Sequence, residues 1–166
     1  MPEITTPRDL FLHELGDIMY VERTLSTEVL PKLISEVQDE ELRATLEEHL
    51  DQTKRHLANV TKVFDEMDET PHAERCFGFE GLKAEHDKLV DEASSELIDS
   101  IDLGAAARTE CYEIAAYEGL RRMARAMGEE KAVELLDNNL AEEKETLRLV
   151  EKIATRVSKE SAQALA

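Results

Sequence analysis

Glu22 stands in the middle of an apolar helical stripe, and that placement constrains the chain more than any other feature of its sequence. Phe11, Leu15, Ile18, Leu25 and Val29 recur every three or four residues, which puts them on one face of a helix, and Glu22 is the one polar member of the series. An ionised carboxylate buried without compensation costs roughly several kcal/mol. The same intrusion recurs on three further stretches. One reads Leu42, Leu46, His49, Thr53, His56, Val60, Val63, Met67, and a second reads Leu103, Ala106, Glu110, Glu113, Tyr117, Leu120, Ala124, Met127. The last reads Ala132, Leu135, Asn139, Glu142, Thr146, Leu149, Ile153. Four helices that each aim polar groups at a shared core point to a cation held between them.

Local signals set the helix boundaries. Thr6 and Pro7 supply an N-cap and a first helical residue, and the first helix is expected to reach about Ser35 with a bend near Pro31. A second runs from Gln38-Asp39 to about Met67. Thr70, Pro71 and Gly78 punctuate the stretch after it, and a short helix from about Glu80 to Ser94 reads as a crossover. The third main helix covers Leu97 to Met127 and stops at Gly128, and the fourth covers Glu129 to Val157. The expected fold is an all-α antiparallel four-helix bundle, one domain over residues 1–166 with its core at about 7–157 and a fraying tail at 158–166.

Charge narrows the partners. Twenty basic residues against 38 acidic ones give a net charge of −18, the wrong sign for nucleic acid or an anionic membrane surface. The acidity is spread along the chain, as in a surface solvated in a salt-rich cytoplasm, and so does not mark a site. No apolar run approaches the roughly 20 residues that span a bilayer, and the N-terminus lacks the features of a secretion signal, so a cytoplasmic location is expected. Cys76 and Cys111 are far apart and are expected to be reduced thiols, with Cys111 a small buried residue. His13, His72 and His86 have no counterparts in the stripes and are expected at the surface.

Di-iron helical bundles place a Glu on each of two helices and a Glu-x-x-His pair on each of the other two. This chain offers Glu22, His49, Gln52, His56, Glu110, Glu113 and Glu142 as candidate metal ligands. Glu143 and Glu145 fall in the charge run AEEKE and are assigned to a solvated face. Glu69-Thr70-Pro71-His72, the chain's sole Glu-x-x-His string, lies in a proline-containing loop and is set aside. For Glu22 the competing role is a buried carboxylate bonded to Tyr20, Tyr112 or Tyr117, and for the histidines it is core packing. A faint repeat is also present. Displacement by 90 residues brings Leu46, Leu50, Lys54, Leu57 and Val60 onto Leu136, Leu140, Lys144, Leu147 and Val150, and Gln52 onto Glu142, while displacement by 91 brings Glu22 onto Glu113.

The strings LFLHELGDIMYVER, LEEHLDQT, CFGFEGL, CYEIAAYEGLRRMARAMG and AVELLDNNLAEEKET make the chain resemble the YciE/YciF branch of ferritin-like proteins from about Pro7 to Ile153. The resemblance implies a ferritin-like bundle, a dinuclear iron site (manganese being the alternative metal), a ferroxidase or stress-related role and a homodimer. It matches Glu22, Glu113 and Glu142 to the inward glutamates, and His49 and Thr53 to the second-helix motif. Gln52 takes a place where relatives carry Glu, and His56 one where many carry Gln. The expected chemistry is oxidation of Fe(II) by O₂ or peroxide. Its rivals are manganese-catalase-like turnover of peroxide, a non-catalytic metal-binding stress bundle and a metal-free acidic interaction protein.

Overall fold

The computed structural model describes residues 3–164. Helix α1 (Pro7–Thr24) opens with a capping box, in which Thr6 accepts from the backbone N–H of Asp9 and Asp9 accepts from that of Thr6. One π-helical turn, Leu25–Val29, joins α1 to α2 (Leu30–Glu36). The expected interruption is therefore real and lies just ahead of Pro31. Proline has no N–H to continue the ladder, and the wider turn absorbs the mismatch, with the N–H of Leu30 reaching the carbonyl of Leu25.

Arg43 ties down the next corner by donating to the carbonyls of Ile34 and Val37. Asp99 accepts from the backbone N–H groups of Gln38 and Asp39. Helix α3 (Glu40–Glu66) then starts on the Asp39 N-cap. Helix α4 (Phe77–Glu92) is the crossover and leads through a short 3₁₀ turn into α5 (Ile98–Met127). Gly128 ends α5 at φ 80°, a left-handed conformation that favours glycine, and α6 (Glu130–Ala164) returns. Helix α6 continues through the residues expected to fray. Arg156 pairs with Asp39 at 2.8 Å near its end and Val157 is still buried.

Around the bundle the neighbours run α1, α3, α6, α5 and back to α1, while α4 lies on α5. The apolar core includes Phe11, Leu15, Phe64, Leu103, Leu120 and Leu136. Among the described residues no helix is long and apolar enough to cross a membrane. Both cysteines are free. Cys76 is buried against the Tyr112 hydroxyl at 2.9 Å, whereas Cys111 is exposed, one position off the inward face held by Glu110 and Glu113.

Candidate metal centre

All four bundle helices send polar side chains to one level of the core. Glu22 comes from α1, His49 and His56 from α3, Glu110 and Glu113 from α5, and Glu143 from α6. They form two donor groups, His49, Glu110, Glu113 and Glu143 in one and Glu22, His56 and Glu143 in the other. In each group one ligand atom per residue lies within 4.8 Å of all the rest. Glu143 belongs to both, which is the place of a carboxylate shared between two ions.

The α6 register corrects the sequence reading. Residues 132, 139, 146 and 153 face inward as expected, but between them the core takes Leu136, Glu143 and Val150 rather than Leu135, Glu142 and Leu149. Glu143 is fully buried, and the solvated role fits Glu145, which pairs with Arg148 at the surface. On α3, Thr53 occupies the fully buried position and Gln52 the half-buried one beside it.

Glu142 and Gln52 instead address the outer nitrogens of the two histidines. His56 turns Nδ1 inward, 2.8 Å from Glu143 and 3.4 Å from Glu22, and its Nε2 bonds Glu142 at 2.8 Å. Arg55 holds both oxygens of Glu142 at 3.0 and 3.2 Å. His49 turns Nε2 inward, 3.2 Å from Glu110, with Nδ1 3.4 Å from both Gln52 and Thr146. Histidines that bind metal use this arrangement, the far nitrogen fixed by an acceptor so that the near one keeps its lone pair for the ion.

Protein partners leave much of the centre unsatisfied. Glu22 Oε2, His56 Nδ1, Glu110 Oε2 and both oxygens of Glu113 and of Glu143 are buried without a hydrogen bond. His56 Nδ1 is close to Glu143, but off the line that a hydrogen bond requires. Buried polar atoms are nearly always paired, so this concentration of orphans fits a cation held between the helices. The electrostatics agree. Burial raises the Glu22 carboxyl to about 7. Burial, with repulsion from Glu143, holds Glu110 and Glu113 well above the ordinary range. Burial works against the charged form of His56 too, yet the carboxylates of Glu143 and Glu22 beside its Nδ1 outweigh it and lift the group to about 10. Tyr117 donates to Glu22 and accepts from Asn139 at 3.0 Å, so the tyrosine bond expected as a rival role for Glu22 coexists with the donor group.

A family model described as a domain of unknown function (DUF892) matches residues 6–163. Protein YciF of Escherichia coli (strain K12) is 31% identical over 159 residues, covering 94% of this chain and 95% of that one. The chain belongs to the DUF892 family. The crystal structure of the E. coli stress protein YciF superposes on this DUF892 protein with a TM-score of 0.86 at 30% identity, covering 93% of this chain and 98% of that one. YcfI of Rhodopseudomonas palustris does so with the same TM-score at 32% identity, over 90% and 96%. A Xanthomonas campestris protein, 18% identical with a TM-score of 0.77, shares the fold over 96% of this chain and 98% of its own.

The DUF892 fold also gives the internal repeat a physical meaning. Displacement by 90 carries Thr53 onto Glu143 and His56 onto Thr146, both inward pairs three residues apart. Each pair keeps one member of a Glu-x-x-His motif and has threonine for the other. His49, four residues before Thr53 on α3, and Glu110, three before Glu113 on α5, are further members of the first donor group.

Proposed function

We propose that this protein binds two metal ions in its bundle core and serves as an iron-oxidising stress protein of the ferritin-like type. The observation that carries the reading is the pair of donor groups joined through Glu143. Four buried carboxylates, Glu22, Glu110, Glu113 and Glu143, balance the charge of two divalent ions, and one imidazole is available to each. That mixture of carboxylate and imidazole suits iron or manganese better than a thiolate-preferring metal. When bound, a pair of irons supplies Fe(II) oxidation by O₂ or peroxide.

The chain's own residues do the rest. Glu142 and Arg55 fix the ring of His56, and Gln52 with Thr146 fixes that of His49. The Tyr117 hydroxyl donates to Glu22 and fixes that carboxyl in place, with Asn139 behind it. A surface cavity of about 200 Å³ lined by Arg55, Asn59, Lys62, Asn138, Asn139 and Glu142 offers a polar approach on the His56 side.

Anaerobic titration of chelator-stripped protein with Fe(II), followed by exposure to air, tests the reading. About two irons per chain and a ferric absorbance rise faster than buffer oxidation support it. Saturable binding without accelerated oxidation leaves a metal-binding bundle that turns nothing over, and no saturable binding overturns the metal reading itself.

A further inference from the structure

Beside the first donor group lies a second cavity, of about 260 Å³, with a character unlike the polar approach near His56. Its walls include Leu25 from the π turn, Leu33 from α2, Leu46 from α3, Phe79 and Leu82 from the crossover helix, Ala106 from α5 and Val150 from α6. His49, Glu110 and Thr146 are the polar residues it shares with the metal centre. Glu28, Lys32, Lys83 and Asp87 also line it, and all four are charged. Their ion pairs are loose, Lys32 with Asp87 at 3.5 Å and Lys83 with Glu28 at 3.8 Å, and Lys32, Asp87 and Glu28 have largely exposed side chains.

We infer that this cavity binds a small apolar organic molecule directly against the metal centre, the contact with the metals resting on the reading above. Size is the first argument. An engineered apolar void of roughly 150 Å³ already takes up benzene, and ligand pockets begin near about 300 Å³. The cavity therefore suits a body of two fused rings or a medium alkyl chain. The second argument is backbone geometry. Leu25, Glu28 and Val29 reach the cavity from the π turn, and single π turns inside helices recur at functional sites. Third, His49 and Glu110 line the cavity and belong to the first donor group, so a guest seated here lies against that centre. An ion transfer path needs polar walls, as the His56 side has. Here most of the wall surface is apolar, although Glu28, Lys32, Lys83, His86 and Asp87 also line it, and it ends on two donor residues, which favours an organic guest with an apolar body.

The probe is 1-fluoronaphthalene, followed by ¹⁹F NMR titration of the full chain, metal-free and then loaded with Co(II). One saturable site is expected in both forms, with a change in the visible bands of bound Co(II), because His49 and Glu110 line the cavity and belong to the donor group. Ala106→Phe and Leu82→Trp, which fill the cavity from α5 and α4, should each weaken the probe at least tenfold and leave the Co(II) count unchanged. Absence of saturable probe binding, or equal binding by both filled variants, overturns the inference. Probe binding that persists while Co(II) fails to bind overturns the metal reading and leaves the cavity assignment standing.

Discussion

Each histidine of the centre works at two faces, and this division sets what single substitutions should do. Glu143 sits between the two donor groups, whereas Glu142, its neighbour in sequence, acts only through the far side of His56. Glu143→Ala should therefore abolish two-metal binding, and Glu142→Ala should keep the stoichiometry while lowering affinity about 10–100-fold, the usual cost of losing a residue that orients a ligand. Isothermal titration with Co(II) separates the outcomes, and equal loss in both variants would contradict the assignment. Gln52 is the counterpart of Glu142 at His49, but a neutral amide polarises an imidazole less than a carboxylate does. Gln52→Glu should accordingly tighten metal binding, by up to about tenfold on the same scale. Unchanged or weaker binding in that titration would mean that His49 is not held through Nδ1.

At the scale of elements, most of the bundle is legible in the sequence, because apolar stripes and caps act locally. The α3 stripe is buried from Leu42 to Met67, and Gly128 ends α5 where a left-handed residue is needed. On α6 the periodicity is ambiguous. Leu135 and Leu136, Glu142 and Glu143, and Leu149 and Val150 are adjacent pairs of matched character, so a 3-4 spacing and a 4-3 spacing read equally well. The repeat contains the signal that breaks the tie, since it carries the inward Thr53 onto Glu143. Toward the end of α6, Arg156 reaches a partner 117 residues away and also pairs with Glu160, one turn on in the continued helix. Asp39 caps α3 and grips Arg156 with both oxygens, at 2.9 and 2.8 Å. Asp39→Ala should destabilise the chain by about 1 kcal/mol through the lost cap, with little added by the half-exposed ion pair. That corresponds to a fall in Tm of about 2–4 °C for a chain of this size. A melt followed by circular dichroism measures it, and no change would show that the corner is held by Asp99 and Arg43 alone.

For the molecule as a whole, the polar core makes stability depend on pH in a direction opposite to that of most acidic proteins. Glu22, Glu110 and Glu113 keep their protons in the folded state to higher pH than in the unfolded chain. Above the ordinary carboxylate value of about 4.5, the unfolded state ionises first, so each of them destabilises the fold as pH rises. His56 is lifted to about 10, and its stabilisation, complete below about 6.5, is lost as pH passes through 10. His86 follows the same sign, because its bond to the buried Asp102 raises it. Glu143 works the other way. Although burial pushes it upward, His56 and His49 hold it below the ordinary range, and its stabilisation is lost as pH falls below about 4.5. Burial holds His49 below its ordinary 6.5, so that group adds stability as pH rises to about 6.5 and partly offsets the carboxyls there. The metal-free protein should therefore be most stable between about pH 5 and 6.5 and lose Tm from there toward pH 9. Surface carboxylates are already ionised across that range and their mutual repulsion is screened in 1 M salt, so the slope should persist there. Metal ions displace the core protons and favour the ionised carboxylates, and saturating Zn(II) should flatten or reverse the slope. Scanning calorimetry from pH 5 to 9, with chelator and with zinc, reads both effects. A metal-free Tm that rises with pH above about 6.5 would mean that the core carboxylates ionise freely, and the charge argument for a cation between the four helices would fail.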